Sequence, residues 1–305
     1  MAESFESWMK AGQARFEKAA DAAFPADEFP ELLFEAMRWS VLGGGKRVRP
    51  LLAYAAAELT RAGEKETDAV ALALECIHSY SLVHDDLPCM DNDVLRHGKA
   101  STHAKYGFAE GVLAGDALQA EAFAFLASGA IPAPRLPRLV KLLADGAGAR
   151  GMCGGQWADI KCTGEAAAKT TPAELKRLHA MKTGALIRAA VLMGAACGEE
   201  AYATEELLSK LSRFSRALGL AFQVVDDILD VTADTATLGK TAGKDAEEGK
   251  ATYVTLLGLD EAKRLAREAG EEALAALSEI EADPRYAGRT ARLAQIARFV
   301  VSRES

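Results

Sequence analysis

An all-α fold in a single domain is what the sequence predicts, on three observations. Alanine, leucine and glutamate, all strong helix formers, are abundant. Few stretches alternate apolar and polar residues over strand-like lengths. Glycine and proline mostly punctuate long apolar-periodic runs. The chain has 305 residues, 50% of them hydrophobic, which is enough to bury a large core. No linker or short repeat period divides it, so one many-helix domain over 1–305 is the simplest organisation.

The expected elements follow from the punctuation. A first helix covers Phe5–Ala23 and closes at Phe24-Pro25, and a second runs over 30–42 until Gly43-Gly44-Gly45 ends it. The third starts near Pro50, a residue favoured in a first helical turn, and runs to 61. Residues 67–86 are strongly apolar without glycine or proline and read as a long buried helix that Pro88 ends or bends. Further helices fit 109–127, 134–151, 172–197, 204–231, 260–277 and 289–301. The polar stretches 163–171 and 234–249 read as long loops.

Charge and cysteine usage exclude several function classes. The formal net charge of −8 repels nucleic acid and anionic membrane surfaces, so neither is a bulk partner. No segment approaches the ~20 apolar residues of a membrane span; the uncharged stretch 122–134 is too short and carries two prolines. The amino-terminal residues mix Glu, Lys and Arg with apolar side chains, as an amphipathic helix does and a signal peptide does not. Five cysteines (Cys76, Cys89, Cys153, Cys162, Cys197) match no zinc spacing, and most sit in apolar runs, so they read as buried free thiols in a reducing cytoplasm.

Two aspartate clusters carry the chemistry. The first is His84-Asp85-Asp86-Leu87-Pro88-Cys89-Met90-Asp91-Asn92-Asp93; the second is Asp226-Asp227-Ile228-Leu229-Asp230. Each ends an apolar helical run, and the spacing of Asp226, Asp227 and Asp230 puts them on one side of a helix. Carboxylates near a helix C-terminus oppose the helix dipole at about 0.3–1 kcal/mol each when exposed. One such pair is ordinarily a solvated helix end; two in one chain call for a compensating cation. Oxygen-only donors select a hard ion, and Mg²⁺ characteristically binds one or two carboxylates together with substrate phosphate. The physical reading is two facing carboxylate banks with magnesium and a diphosphate between them.

Cations gather around these clusters. Gly43-Gly44-Gly45-Lys46-Arg47-Val48-Arg49-Pro50 combines flexible backbone, three positive charges and a helix start, as a phosphate site does; it is no Walker A loop, and taken singly such basic residues are as often a solvated helix C-cap. Arg96 and His97 follow the first cluster, and Lys240, Lys244 and Lys250 follow the second. Lys182 and Thr183 interrupt an apolar helix, and Gln223 and His78 occupy positions whose neighbours are apolar. Taken singly, His78 is more often a hydrogen-bonded core histidine, Gln223 a satisfied core amide and Lys250 a loop lysine.

With these pieces in place, the sequence resembles the trans-isoprenyl diphosphate synthases, specifically the bacterial farnesyl diphosphate synthase (geranyltranstransferase) type. The resemblance is carried in order by GGKRVRP, LECIHSYSLVHDDLPCMDND, GKASTH, LAGDAL, GMCGGQ, KTGALIRAA, AFQVVDDILD, TLGKTAGKD and GKATYVTLLG, and it spans nearly the whole chain. It implies one polyprenyl synthetase domain, folded as a large isoprenoid-synthase helical bundle around a central apolar cavity, and a homodimer. By the same resemblance Lys46, Arg49 and His78 hold isopentenyl diphosphate. Asp85, Asp86, Asp91, Asp226, Asp227 and Asp230 bind three Mg²⁺ ions on the allylic diphosphate. Arg96, Lys182, Lys240 and Lys250 contact that diphosphate, and Thr183 and Gln223 line the reacting allyl group. Ionisation, condensation and elimination to farnesyl diphosphate is the implied reaction, with no side-chain nucleophile. Tyr80, with neighbouring Ser81, sits where the family sets chain length; an aromatic there, with the two extra residues Pro88 and Cys89, is similar to C15 enzymes.

The chain departs from the family pattern at His97, where a second arginine is usual, and at Ala100, usually proline. Histidine lacks the bidentate fork of arginine and is neutral above about pH 6.5, so isopentenyl affinity is expected to be weaker and to rise at lower pH. Geranylgeranyl diphosphate synthesis is the alternative product. A terpene cyclase has no use for Lys46, Arg49 and His78, a non-catalytic partner subunit would lose the aspartates, and a phosphohydrolase would need further metal histidines.

Overall fold

The structure, a computed structural model, describes residues 3–164, 167–232 and 249–302. The chain runs through α1 (Phe5–Ala23), α2 (Glu31–Val41), α3 (Val48–Thr60) and α4 (Glu64–Asp85) into a hairpin of β1 (Leu95–Arg96) and β2 (Lys99–Ala100). Then come α5 (Thr102–Tyr106), α6 (Phe108–Leu126), α7 (Leu136–Ala147), α8 (Met152–Lys161) and α9 (Pro172–His179). A π-helical turn, Ala180–Gly184, joins α9 to α10 (Ala185–Ala196). The chain then forms α11 (Glu205–Thr232), α12 (Tyr253–Leu257), α13 (Leu259–Glu281) and α14 (Ala291–Ser302). The all-α expectation holds, and among the described residues no helix is long and apolar enough to cross a membrane.

Helix α10 buries Leu186, Ile187 and every residue from Ala189 to Ala196, as a helix surrounded by others must. It contacts α3, α4, α7 and α11. Small residues permit the close crossings: a Cβ on Gly194 would lie 2.3 Å from the Ala53 carbonyl oxygen of α3. A second apolar cluster of Leu175, Val224, Val225, Ile228, Leu229, Tyr253, Ala262 and Ala266 ties the C-terminal half of α11 to α9, α12 and α13. That cluster fixes the end of α11 that carries the second aspartate group. Local caps agree with the packing, since Thr171 and Glu174 form a capping box that starts α9 at Pro172.

Several boundaries differ from the sequence expectation. Helix α3 begins at Val48, so Pro50 is its third residue, still inside the first turn where no intrahelical N–H is needed. The expected helix over 134–151 is a 3₁₀ turn, Ala133–Arg135, followed by α7, which stops at Ala147. Helix α8 was not anticipated, because its glycines read as breakers. The hairpin was also missed: His97 (φ 51°) and Gly98 (φ 75°) both take positive φ between Arg96 and Lys99, as a two-residue primed turn demands. All five cysteines are free, but only Cys76 and Cys197 are buried; Cys89 and Cys153 are exposed, in contrast to the reading as buried thiols. The loop 234–249 lies outside the described residues except at its end.

Candidate active site

The first aspartate cluster is a helix end folded back on itself. Asp85 is the last residue of α4 and Asp86 its cap, and the Asp91 N–H donates to the Asp85 carbonyl at 2.8 Å, so the loop returns Asp91 to the helix end. Burial pushes the Asp85 carboxyl up to about 6, with Asp91 and Asp86 adding and Lys182 and Arg96 opposing. Burial raises Asp86 as well, against the Arg96 hydrogen bond. Arg96, placed by the hairpin, pairs with Asp86 and lies 3.6 Å from Asp93. Burial works against the Arg96 charge, but the Asp86 hydrogen bond and charge more than offset it and raise its pKa.

A cavity of about 430 Å³ adjoins this cluster, bordered by Lys46, Arg49, His78, Asp86, Arg96 and His97. The glycine turn before α3 approaches the hairpin closely; a Cβ on Gly45 (φ +109°) would stand 3.7 Å from His97 Nε2. Of the three cations after the glycines, Arg47 is structural: it is buried, donating at 2.7 Å to Glu17 and at 2.9 Å to Glu75. Burial lowers the Arg49 pKa while Glu75 and Asp226 oppose the shift, and among the described residues its Nε has no hydrogen-bond partner. Burial holds His78 well below the ordinary imidazole value, with Arg49, His97, Arg47 and Arg96 adding. Burial and the charges of Arg96, Arg47 and Lys99 likewise lower His97.

The second cluster is built differently. Asp227 is buried and accepts from Gln223 Nε2 at 3.0 Å and from the Tyr253 backbone N–H at 2.8 Å. Gln223 Oε1 in turn accepts from the Thr183 hydroxyl at 3.1 Å. Asp230 is buried and Asp226 half-buried. Lys250 is held in a β-bridge to Thr163. Lys240 and Lys244 lie outside the described residues.

A continuous set of contacts joins the two clusters. Gln156 on α8 donates to Asp85 at 2.8 Å, and α8 lies directly on the π turn, where a Cβ on Gly155 would come 2.2 Å from the Lys182 nitrogen. Lys182 pairs with Asp159 of α8 and stands within Coulombic reach of Asp85. Thr183, the next residue, reaches Gln223 and through it Asp227. From the other side Arg49 feels Asp226, and Phe222 of α11 lines the same cavity as Asp86 and Arg96. A π turn at this junction is the kind of helix distortion found at functional sites.

Tyr80 is buried in the main core, with its hydroxyl 3.2 Å from Cys153 Sγ and its ring 5.8 Å from that of His84. Ser81 turns back on its own helix, donating to the His78 carbonyl at 2.8 Å. Sequence reasoning missed Gln156, Asp159, Glu75, Tyr253 and the Cys153 contact. The GMCGGQ run held a signal for the first two: adjacent glycines followed by an amide mark a helix made to touch another backbone.

Among the described residues no three His, Cys, Asp or Glu side chains converge on a ready-made metal site. The donor set nevertheless fits magnesium: it is all oxygen, and the Asp85 carboxyl is desolvated by burial beside Asp91 and Asp86, where a bound cation would favour the charged form. Mg²⁺ ordinarily completes its shell with water and phosphate oxygens, so partial protein ligation is what it requires.

A family profile described as "Polyprenyl synthetase" matches residues 30–287. The chain is 46% identical to the farnesyl diphosphate synthase of Escherichia coli over 81% of its own length and 82% of that protein's. It is 48% identical to a chloroplastic geranylgeranyl pyrophosphate synthase of Capsicum annuum, covering 84% of this chain and 68% of the relative. Among solved structures, an FPP/GFPP synthase of Zymomonas mobilis matches with a TM-score of 0.83 at 36% identity, covering 97% of this chain and 98% of that one. A Helicobacter pylori geranyltransferase complexed with magnesium and isoprenyl diphosphate matches with a TM-score of 0.84 at 34% identity, covering 98% of both.

Proposed function

The chain belongs to the polyprenyl synthetase family and is a prenyltransferase, and we propose that it condenses isopentenyl diphosphate with dimethylallyl or geranyl diphosphate to give farnesyl diphosphate. One observation carries the reading: two aspartate clusters joined through Gln156, Lys182, Thr183 and Gln223, beside a cavity rimmed by Lys46, Arg49, His78, Arg96 and His97. The carboxylates suit an allylic diphosphate that arrives with metal, and the cationic rim suits a second diphosphate that arrives without one.

In this reading Asp85, Asp86, Asp91, Asp226, Asp227 and Asp230 hold Mg²⁺, three ions by the family resemblance; magnesium also accompanies isoprenyl diphosphate in the Helicobacter pylori relative. Bound there, magnesium supplies charge neutralisation for the departing diphosphate. Arg96 and Lys182, with Lys240 and Lys250, add fixed positive charge on that side, and such preorganised charge favours the transition state. Lys46, Arg49 and neutral His78 hold isopentenyl diphosphate by hydrogen bonds and charge. The alkene of isopentenyl diphosphate attacks the allylic cation, and the released diphosphate accepts the proton. Thr183 and Gln223 orient each other beside the allyl group, so the Gln223 carbonyl is already accepting a hydrogen bond as it faces the reaction.

Buried Tyr80, fixed by Cys153, supports the C15 product as the stop in the chain's path. The pepper relative, a geranylgeranyl synthase by name, favours C20 as the second reading. A homodimer completes the proposal, with exposed Phe108, Val112 and Leu113 on α6 as an apolar face for a second copy. Five free thiols, two of them on the surface, support a reducing, cytoplasmic setting. Incubation with Mg²⁺, isopentenyl diphosphate and geranyl diphosphate tests the whole. Farnesyl diphosphate is expected; a C20 diphosphate moves the product, a hydrocarbon makes the chain a cyclase, and no product sinks the reading.

A further inference from the structure

A second cationic cavity lies between α7, the start of α10 and α11, apart from the site above. It measures about 560 Å³, and its border includes Arg150, Lys176, Arg188, Arg216, His179 and Asp145. Asp145 is its single carboxylate among the described lining residues, and that carboxylate is engaged by Lys141 at 2.6 Å. Four strong cations against one paired anion is a marked excess in a chain of net charge −8.

Among the described residues neither Arg188 nor Arg216 forms an ion pair with a carboxylate, and Asp145 acts on Arg188 only through its charge. Arg188 Nε donates to the Ser212 hydroxyl at 2.7 Å, and Arg216 Nη2 donates to the same oxygen at 3.2 Å. Two guanidinium groups gathered on one neutral hydroxyl repel each other, and half-buried Arg188 is lowered by burial first and by Arg216 second. Arg150, Lys176 and Arg216 are exposed on the border of the cavity, and Arg188 is the half-buried cation of the four. Gly146, Gly184 and Gly219 line the cavity where its elements pack closely: a Cβ on Gly146 would lie 2.9 Å from Ala189 Cβ, and one on Gly219 would lie 3.1 Å from Gly184 Cα. Leu142 and Leu220 add apolar lining.

We propose that this cavity is a second, metal-independent binding site for a diphosphate group, either the inorganic diphosphate released by the reaction or the head of a prenyl diphosphate. The proposal rests on the reaction proposed above for the source of its ligand. The contrast with the first site sets the chemistry. There, the Asp85–Asp91 cluster adjoins the cavity, so a metal has partners; no such carboxylate cluster borders this one among the described residues, so phosphate oxygens meet arginine and lysine directly, as on the Lys46–Arg49 rim. Gly184 directly follows Thr183, and Gly219 lies one turn before Gln223, so an occupant would rest on the elements that carry the allyl-facing pair.

The test is calorimetric titration of the full chain in EDTA, with inorganic diphosphate in one arm and geranyl diphosphate in the other. Two sites per chain are expected, one on the Lys46–Arg49 rim and one here. In Arg150→Ala/Lys176→Ala the count falls to one, the remaining affinity is unchanged, and product formation without added diphosphate stays at the wild-type rate. Tighter binding of geranyl diphosphate to the lost site identifies the prenyl source, and equal binding identifies inorganic diphosphate; both support the site. A wild-type count of one, or a double variant that still binds two, overturns it. A chain that makes product yet binds one diphosphate defeats this inference and leaves the proposed function standing.

Discussion

The two aspartate-bearing helix ends are alike in sequence and unlike in structure. At the end of α4, Asp85 and Asp86 are held by side chains, Gln156 and Arg96, and both carboxyls are pushed up by burial. Near the end of α11, Asp227 is held by a backbone N–H and a neutral amide. At the α4 end two desolvated carboxyls adjoin one another, and a divalent ion would favour their charged forms. The α11 end is a scaffold in which Asp227 fixes the loop before α12 and, through Gln223, the position of Thr183. The first wall is therefore loaded, and in the second Asp227 braces the backbone, a role the two motifs do not announce.

The largest expected effects follow from that contrast. Asp85→Asn removes charge from the loaded wall, and kcat should fall by about 10²–10³-fold, as when one preorganised electrostatic partner is lost, with thermal stability unchanged or slightly raised. Asp227→Asn should also lose activity, but it leaves the Tyr253 N–H and the Gln223 amide imperfectly partnered, so unfolding should be easier by about 1–3 kcal/mol. Denaturant melts of both variants check this. Equal melting of the two would erase the distinction between the walls.

An intermediate effect is expected where the first wall meets α8. Gln156→Ala removes the side chain that orients Asp85 without removing charge. The Mg²⁺ concentration for half-maximal rate should rise by about 10-fold, as for other residues that orient a metal ligand, while saturating Mg²⁺ restores most of kcat. A loss that magnesium does not rescue would place Gln156 in the chemistry itself. Product length tests the same junction from below. Tyr80→Ala should shift product from C15 toward C20 by mass spectrometry, and Cys153→Ala, which removes only the hydroxyl's partner, should shift a smaller share.

What was legible in the sequence divides along the same line. Apolar period and punctuation placed α1, α2, α4, α6 and α11 to within about three residues, because each is long and buried on a continuous face. The aspartates, Lys182, Thr183 and Gln223 stood out because charge or amide in an apolar run needs a reason. Helix α8 was invisible, since Gly154 and Gly155 are breakers by propensity and become assets only when a second backbone lies 2–3 Å from where their Cβ atoms would be. The hairpin escaped because strands of two residues have no periodicity to detect. Asp159 and Cys153, carried on that hidden helix, were lost with it. Partners of this kind are set by tertiary contact, and no local pattern records them.

The smallest effect is expected at His97, the departure from the family pattern. Sequence alone suggested that isopentenyl affinity rises as pH falls through the ordinary imidazole range. The structure moves that window down, because burial and then Arg96, Arg47 and Lys99 depress the His97 pKa below 6.5. His97 is therefore neutral at neutral pH, and the KM for isopentenyl diphosphate should be flat between about pH 7 and 8, improving only below 6.5. Stability runs the other way. The unfolded imidazole takes its proton near 6.5 while folded His97 and His78 resist it, so stability is full above 6.5 and is lost as pH falls towards their depressed values. Any gain in affinity at acid pH is thus opposed by unfolding. His97→Arg supplies the charge without the proton, and it should lower that KM by up to about 10-fold, some 1.4 kcal/mol, and abolish its pH dependence. A wild-type KM that already falls steadily from pH 8 to about 7 would mean that His97 titrates in place, and that the cationic rim does not depress it.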